Sequence, residues 1–469
     1  MQLTSPFFLF LFYPISLLPI LFLPKRYRRL ALSLISMIFF AAINMGNPTG
    51  LAHILFVVFF TVCLAYLPIP RSVRGGKLRA LLMVCLPLFS FVAARLLCEY
   101  GNGIYHYPVG LLFVTLHTVS YAVDYARGDV VCPRNPLELI GYLLFFPTLS
   151  MGPVIRSKHY FDLTEEMAFT PALFTDGARR YMLGYIKRLA VAAVALRALT
   201  DILSRSDIFF HPVSLLLLLL LSYLTFYFFV TGTTDMALGI CAMYGISLPR
   251  GSNTAPVFSA APHKMLQAML RSLRLFLLDY LYTPLRRRFG RRTAKAFAAL
   301  LLPALTVLIW RTRPEMLLLA APILLVGGLC LIPAVKRFFT PRRHPLRLLL
   351  ALLSTLPISV FTLATVLEKP LQLLALCEAA RDGTGGTFRL YAVLGTVRDI
   401  RYLTVLVLLL ALLAPYAYLR PWLLRRARPR TRQIVTVTET VLLFAAFLLS
   451  LIYFLPQFPE LSEVGLYRM

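Results

Sequence analysis

The sequence predicts an all-α, polytopic helical membrane protein, with about 11–12 transmembrane helices arranged around a central funnel. Of its 469 residues, 59% are hydrophobic and only 14% are charged. Apolar windows of about 20 residues, the length that a helix needs to cross hydrocarbon, recur from end to end. A soluble chain of this size could not cover so much apolar surface.

The predicted spans follow the apolar windows, with boundaries accurate to about three residues. They lie at 5–23, 30–46, 51–68, 80–98, 105–123, 182–200, 212–231, 296–310, 316–335, 347–367, 401–418 and 434–455.

The net charge of +28 comes from short Lys/Arg clusters between apolar runs. This distribution is typical of the positive-inside bias, so it indicates cytoplasmic loops and excludes a nucleic-acid partner. We expect both termini outside and a multi-pass protein of the cell membrane. The clusters are 25–29, 71–79, 179–188, 286–295, 336–347 and 420–432.

The clusters share one side only if segments 137–153 and 264–284 do not cross the membrane. Segment 137–153 is apolar and is interrupted by Pro147, Gly152 and Pro153. Backbone that enters lipid without crossing must be buried in protein or line a wet cavity, so we predict a re-entrant hairpin. Segment 264–284 carries its polar residues on one helical face, which predicts an interfacial amphipathic helix.

The remaining features indicate one integral membrane domain over 1–469 without a bound metal or cofactor. Seven cysteines are scattered, without the paired spacing of a metal site or a disulfide framework. We divide the domain into peripheral N-terminal helices (1–104), a motif-bearing core (105–335) and C-terminal helices (336–469).

Four motifs, in order, resemble the bacterial branch of the membrane-bound O-acyltransferase family, which includes alginate O-acetylases and the teichoic-acid D-alanine transfer protein. The first is Ser-Tyr-x-x-Asp (120–124), followed by Phe-Phe-Pro…Gly-Pro-x-x-Arg (145–156). The others are Gly-x-x-Asp-Met-Ala-x-Gly (232–239) and Ser-Leu…Asp-Tyr-x-Tyr-x-Pro-Leu (272–285). The end, SLIYFLPQF, is similar to the terminal aromatic segment of the family.

The resemblance implies transfer of an acyl group from a cytoplasmic donor, acyl-CoA or an acyl carrier protein, to a hydroxyl of an extracytoplasmic polymer or lipid. It implies that the Phe-Phe-Pro…Gly-Pro stretch walls the funnel and that Arg156 marks its cytoplasmic mouth. An extracytoplasmic partner protein is a further expectation. The substrate-binding residues that it implies are Tyr121, Phe146, Pro147, Gly152, Pro153, Arg156, Ser272, Asp279 and Tyr280.

The chain departs from the family at the catalytic histidine. In the matching region Arg311 follows Trp310, and no histidine lies between His263 and His344. Arginine stays protonated and cannot take the proton of a hydroxyl, whereas neutral imidazole can. We therefore consider His117 and His263 as alternative bases, beside an interior hydrogen-bonded role for the first and a solvated helix start for the second.

Three carboxylates lie in the motifs, and two of them have two interpretations each. Asp235 is either a catalytic group in the chamber, hydrogen-bonded by the adjacent Thr233 and Thr234, or a helix cap. Asp279 is either catalytic or salt-bridged to an arginine of its own helix, 271 or 274. Asp124 is expected to form a surface pair with nearby Arg127.

Three functions are compatible with the sequence. The first is a membrane-bound O-acyltransferase, which the ordered motifs indicate. The second is a catalytically degenerate relative that binds a carrier, lipid or partner protein, which the missing histidines indicate. The third is a transporter of lipid-linked intermediates, but it predicts two repeats with paired half-helices, which the sequence does not show.

Overall fold

The computed structural model describes residues 3–68, 73–100, 105–149, 152–203, 212–248, 271–290 and 429–454, with single residues 293, 356, 359, 360 and 363. Every regular element in these ranges is helical, which confirms the all-α prediction. The predicted spans at 296–310, 316–335 and 401–418, and most of 347–367, lie outside the described residues.

The N-terminal part contains four helices. A π-helical turn (Phe8–Phe12) leads into α1 (Tyr13–Phe22), and α2 (Lys25–Ile43), α3 (Pro48–Tyr66) and α4 (Val73–Tyr100) follow. Helix α3 begins at Asn47, whose side-chain oxygen accepts from the Gly50 amide at 2.9 Å, while Pro48 needs no partner at the first helical position.

The next segment carries two of the sequence motifs. Helix α5 (Leu111–Arg127) lies between Gly110 and Gly128, both left-handed with φ of 94° and 79°. Glycine is the residue that adopts such backbone most readily, and Gly110 marks the point where α5 starts. The helix therefore begins six residues later than the span predicted at 105–123. Three short helices follow, α6 (Pro136–Leu143), α7 (Phe146–Leu149) and α8 (Ser157–Glu165).

Helices α9 (Pro171–Ile186) and α11 (Pro212–Met243) pack closely against each other in antiparallel directions. A side chain at Gly184 would lie 2.6 Å from the carbonyl oxygen of Gly232, and one at Gly177 would lie 2.7 Å from that of Gly239. Small residues allow such close approach of membrane helices. A π-helical turn (Lys187–Ala192) continues α9 into α10 (Ala193–Leu203).

The remaining described segments are also helical. Helix α12 (Arg271–Leu277) continues through a π-helical turn (Leu278–Tyr282) into helical residues 283–290, and α13 (Pro429–Leu449) continues through another π-helical turn (Ser450–Phe454). Of the predicted interfacial segment, 264–284, residues 271–284 lie within the described residues.

Four helical segments in the described part are long and apolar enough to cross a membrane, as a helical membrane protein requires. In the α11 segment, Leu215–Met243, 72% of the most apolar window is buried, against 11% in the α13 segment, Gln433–Ile452. Helix α11 is therefore interior, and α13 presents its side chains outward. The other two segments are Pro48–Tyr66 and Leu78–Cys98. The total of 11–12 spans stays a prediction.

Contacts near the helix termini define two ends of this helix assembly. At one end, the Asn44 side chain exchanges hydrogen bonds with the Val109 backbone at 3.2 and 3.3 Å. At the other end, Arg79 donates to the Tyr125 hydroxyl at 2.9 Å, and Arg29 pairs with Glu138 at 2.9 Å. Arg29 and Arg79 come from two predicted cytoplasmic clusters, so we name this the basic end.

Candidate functional site

Residues 136–149 and 152–157 form the two arms of a hairpin, and the inward arm, 136–149, runs along α5 away from the basic end. His117 lies in the middle of α5, and its imidazole contacts the Leu143 carbonyl at the end of α6. Further along, Leu149 at the end of α7 packs on Gly110, where a β-carbon would lie 3.1 Å from the Leu149 side chain. Since Gly110 precedes the start of α5, the inward arm reaches the far end of that helix.

The outward arm returns to the basic end. Gly152 donates from its amide to the Thr148 carbonyl at 3.1 Å, so the arm starts beside α7. Ser157, at its end, donates from its amide to the Ser120 hydroxyl at 2.9 Å. Ten residues of α5 between 110 and 120 span about 15 Å, and five extended residues reach about 17 Å. The return is therefore extended backbone, and the segment doubles back along α5. That it enters a membrane without crossing it stays a prediction.

The proline and glycine residues explain how this backbone stays paired. A side chain on Gly152 would lie 2.5 Å from the Pro147 carbonyl oxygen, so only glycine allows this close approach. Pro153 brings no amide hydrogen into the extended arm. The Tyr142 hydroxyl donates to the Ile155 carbonyl at 3.0 Å. The arm is thus hydrogen-bonded by protein, as a membrane interior requires.

Phe146, at the start of α7 in the inward arm, lies in an aromatic cluster with the N-terminal helices and Tyr244. Its ring lies 5.1 Å from Phe39, 6.1 Å from Phe12 and 5.7 Å from Tyr244, between ring centroids. The N-terminal helices therefore contact the motif-bearing hairpin directly, although their sequence predicted a peripheral position. The division into three parts stays a prediction.

One face of α5 points at the hairpin. His117, Ser120 and Asp124 are three and four residues apart, so they lie in a row along the helix. All three side chains are fully buried. The row combines a base, a hydroxyl and a carboxylate, which are costly to bury unless each is hydrogen-bonded.

Asp124 is the centre of a polar cluster that joins three motifs. Its Oδ2 accepts from the Ser157 hydroxyl at 2.7 Å and from the Tyr280 hydroxyl at 2.8 Å. Its Oδ1 accepts from Arg156 Nη2 at 3.2 Å. The cluster therefore connects α5, the end of the hairpin and the π-helical turn of α12, which are far apart in sequence.

Arg156 binds a second carboxylate in the same cluster. Its Nη1 donates to Asp279 Oδ2 at 2.8 Å, and its Nε donates to the Tyr280 hydroxyl at 3.1 Å. Arg127 donates to the Asp279 backbone carbonyl at 3.1 Å. Both guanidinium groups lie over the Tyr280 ring, at 5.1 and 5.4 Å from its centroid, within the range of cation–π attraction.

The Tyr280 hydroxyl has one proton, and the contacts assign it. Asp124 can only accept, so Tyr280 donates there and accepts from Arg156 Nε and from the Ser120 hydroxyl, which lies at 2.8 Å. Burial raises the pKa of Tyr280 above its ordinary value. The phenol therefore stays protonated at neutral pH and acts as a fixed donor.

The structure gives two motif carboxylates a partner that the sequence did not indicate. The prediction for Asp124 was wrong, because Asp124 is fully buried rather than at the surface and pairs with Arg156 instead of Arg127. Asp279 also pairs with Arg156. In both cases the return arm of the hairpin supplies the cation, which spacing along one helix could not reveal.

His117 has one hydrogen-bonded ring nitrogen. Its Nδ1 lies 3.3 Å from the Leu143 carbonyl, and since a carbonyl only accepts, Nδ1 carries the proton. Its Nε2 is buried and has no hydrogen-bond partner among the described residues. The imidazole stacks on Tyr142, with 4.9 Å between ring centroids. The arrangement leaves the Nε2 lone pair available to accept a proton.

Asp235 lies inside α11, so the helix-cap alternative is wrong. Its oxygens accept from Arg180 Nε at 3.1 Å and from Lys187 Nζ at 2.7 Å. The neighbouring threonines do not supply these bonds, because Thr233 and Thr234 donate to carbonyls one turn earlier in their own helix. Asp235 therefore belongs to a second, cationic cluster between α9 and α11.

The other predicted site residues have separate positions. Tyr121 is buried and stacks on Tyr125, with 5.9 Å between ring centroids. Ser272 is half-buried in α12 and, within the part of the chain that the structure describes, makes no hydrogen bond. His263, Trp310 and Arg311 lie outside the described residues.

Sequence reasoning missed Ser157 as a member of the cluster. Its hydroxyl contacts Asp124 and its amide contacts Ser120. The available signal was its position directly after the arginine of the Gly-Pro-x-x-Arg motif. A small hydroxyl residue there can bond to the carboxylate that the arginine pairs with.

The fold and this cluster define a helical membrane protein in which three sequence motifs meet at a buried polar cluster. Its sequence is similar to those of several proteins described as "Probable alginate O-acetylase". The Azotobacter vinelandii protein is 27% identical over 326 residues, 66% of this chain and 64% of the relative. The Pseudomonas aeruginosa protein is 31% identical over 186 residues, 38% of this chain and 34% of the relative.

A third relative, from Pseudomonas fluorescens, is 27% identical over 288 residues, 61% of this chain and 57% of the relative. No family model matches the chain. The similarity to alginate O-acetylases confirms the resemblance to the membrane-bound O-acyltransferase family. The matches span less than two thirds of the length of these relatives.

Proposed function

We propose that this chain is a membrane-bound O-acyltransferase that moves an acyl group from a cytoplasmic thioester donor to a hydroxyl of a cell-surface polysaccharide, polymer or lipid. The observation that carries this proposal is the junction at Asp124, where three of the family-like motifs meet through direct hydrogen bonds. Similarity to probable alginate O-acetylases supports the same class of reaction.

Asp124, Arg156 and Tyr280 have a positioning role in this proposal. A buried cluster of this kind fixes the hairpin against α5 and α12, because every polar atom in it requires its partners. The fixed hairpin then holds the wall of the predicted funnel, where donor and acceptor meet. The cytoplasmic side is the basic end, at which Arg156 lies.

His117 is the proposed base within this account. Its Nε2 takes the proton of the acceptor hydroxyl as the oxygen attacks the thioester carbonyl. A carbon–oxygen bond forms, the carbon–sulfur bond breaks, and the leaving thiolate recovers the proton. Neutral imidazole with Nδ1 as donor is the form that this step needs.

The catalytically degenerate alternative is favoured by a separate observation. Asp124 and Asp235, the two buried carboxylates in the motifs, both accept hydrogen bonds from cations. The sequence region that corresponds to the family's catalytic histidine contains no histidine. A relative that binds a donor or partner without acyl transfer would have these features.

The test is an acyl-transfer assay with purified full-length protein in nanodiscs. The protein is incubated with radiolabelled acetyl-CoA and with acetylated acyl carrier protein in separate reactions, each with alginate, teichoic acid and lipid acceptors. Labelled ester that is removed by mild base supports the proposal. Donor binding without ester from any acceptor would favour the degenerate alternative.

The role of His117 is tested by His117→Gln, with His159→Gln as matched control. His159 is exposed on α8, so its change should leave the rate near wild type. Loss of a general base costs about 10²–10⁴ in rate, so His117→Gln should fall by that amount while the protein stays folded. Equal rates for both variants would exclude His117 as the base.

A further inference from the structure

Arg156 holds two carboxylates that differ in burial. The side chain of Asp124 is 0% exposed, that of Asp279 is 38% exposed, and that of Arg156 is 22% exposed. The guanidinium therefore faces the protein interior with one edge and the basic end with another. Only the second edge is open to a molecule from solution.

The two carboxylates are also held unequally. Asp124 keeps the Ser157 and Tyr280 hydroxyls as donors even if Arg156 were occupied elsewhere. For the Asp279 carboxylate, the hydrogen bond found within the described ranges is the one from Arg156 Nη1, at 2.8 Å. Removal of Asp279 from Arg156 would thus break one charged contact and leave the buried junction intact.

The surroundings of Asp279 are strongly cationic. The guanidinium groups of Arg127 and Arg156 both lie over the Tyr280 ring, at 5.4 and 5.1 Å from its centroid. The exposed side chains of 286–288, all arginine, follow on the same chain segment. This end therefore attracts anions, and a half-exposed aspartate on Arg156 takes the place that an anion would occupy.

We propose that Asp279 occupies a phosphate-binding place on Arg156 and leaves it when a phosphate-bearing thioester donor binds. The proposal rests on the proposed function, because it deepens the account of the donor. Arg156 Nη1, which Asp279 would release, can donate a charge-assisted hydrogen bond to a phosphate oxygen, and coenzyme A carries more negative charge than one carboxylate. Asp279 would thereby set the donor affinity by competition.

The test measures binding of coenzyme A to full-length protein in nanodiscs of uncharged lipid, by isothermal titration calorimetry. Asp279→Asn removes the competing charge and should bind coenzyme A about threefold to tenfold more tightly. Arg156→Lys loses the forked geometry and should bind at least about fivefold more weakly. Asp279→Glu keeps the competitor and should resemble wild type.

Arg29→Lys is the matched control. Arg29 also pairs with a partly exposed carboxylate at the basic end, Glu138, with side-chain exposures of 20% and 21%. Its change should leave coenzyme A affinity unchanged. Unchanged or weaker binding by Asp279→Asn, with a wild-type melting temperature, would overturn the proposal.

A second arm separates a soluble donor from a lipid headgroup, which carries the same phosphate chemistry. The titration is repeated in nanodiscs that contain phosphatidylglycerol. Competition by inorganic phosphate together with little effect of this lipid supports a soluble donor. If Asp279→Asn instead retains more phosphatidylglycerol and never binds coenzyme A, the donor assignment is wrong.

The outcome is independent of the transfer assay. Tight coenzyme A binding by Asp279→Asn without any ester product would contradict the proposed acyl transfer and leave the competition by Asp279 established. Ester formation by the wild type, with no change in coenzyme A affinity for Asp279→Asn, would support acyl transfer and contradict the competition by Asp279.

Discussion

The clusters around Asp124 and Asp235 both neutralise a buried carboxylate, but they are built differently. Asp235 receives Arg180 and Lys187 from one neighbouring helix, and glycines bring the two helices together. Asp124 receives its partners from the hairpin and from α12, and it shares Arg156 with half-exposed Asp279. We therefore expect the first cluster to stabilise a closely packed helix pair and the second to couple segments that open more easily.

Asp235→Asn should have the largest effect on stability. An amide cannot neutralise Arg180 and Lys187, which are only 25% and 14% exposed. Removal of one partner from a buried ion pair costs about 3–5 kcal/mol in the free energy of unfolding. Unfolding by SDS titration measures this loss of stability. Exposed ion pairs contribute at most about 1 kcal/mol, so a loss below that value would show that the cluster does not stabilise the fold.

Asp124→Asn should cost less, about 2–3 kcal/mol. The amide oxygen still accepts one bond, and Arg156 keeps Asp279. The specific consequence is local: hydrogen exchange of the 271–290 segment should rise while α9 and α11 stay protected. Uniform loss of protection along the chain would contradict the view that this cluster couples separable segments.

Gly184→Ala sharpens the comparison on the side of the rigid pair. The added methyl group would lie 2.6 Å from the Gly232 carbonyl oxygen, so α9 and α11 must move apart. We expect a loss of about 1–2 kcal/mol, typical of overpacking. Gly76→Ala is the control, since a β-carbon there meets nothing within 4 Å. Equal stability of both variants would show that α9 and α11 can move apart at Gly184 without loss of stability.

Arg29→Gln should have the smallest effect. Its pair with Glu138 joins α2 to α6 at the basic end, where both side chains are about one fifth exposed. Water screens such a pair, so the loss should be below about 1 kcal/mol. A larger loss in the same SDS titration would mean that solvent exposure does not explain the difference in stability between this pair and the buried ion pairs of Asp124 and Asp235.

The sequence predicted the hairpin because its physical cause is local. Pro147, Gly152 and Pro153 interrupt an apolar run that is too short to cross twice, and charge clusters on both sides fix its topology. The motif order likewise predicted which stretches matter. These conclusions need only neighbouring residues and the composition of the loops between spans.

The partners within the site could not be predicted in the same way. Arg156 meets Asp124 only because the extended return arm ends beside α5, and this is a tertiary arrangement. For Asp235, the adjacent threonines were the nearest donors in sequence. In the helix, however, their hydroxyls donate to backbone carbonyls one turn earlier. The cations came instead from a helix that glycine packing brings close.

The most direct test of the central claim, that residues 136–157 enter and leave at the basic end, is membrane-impermeant cysteine labelling. Single cysteines replace exposed Arg134 and Lys158 in a cysteine-free chain, with exposed Met45 as the opposite-end control. In right-side-out and inverted vesicles, positions 134 and 158 should label from the same side and position 45 from the other. Labelling of 134 and 158 from opposite sides would mean that the segment crosses the membrane, and would contradict the account.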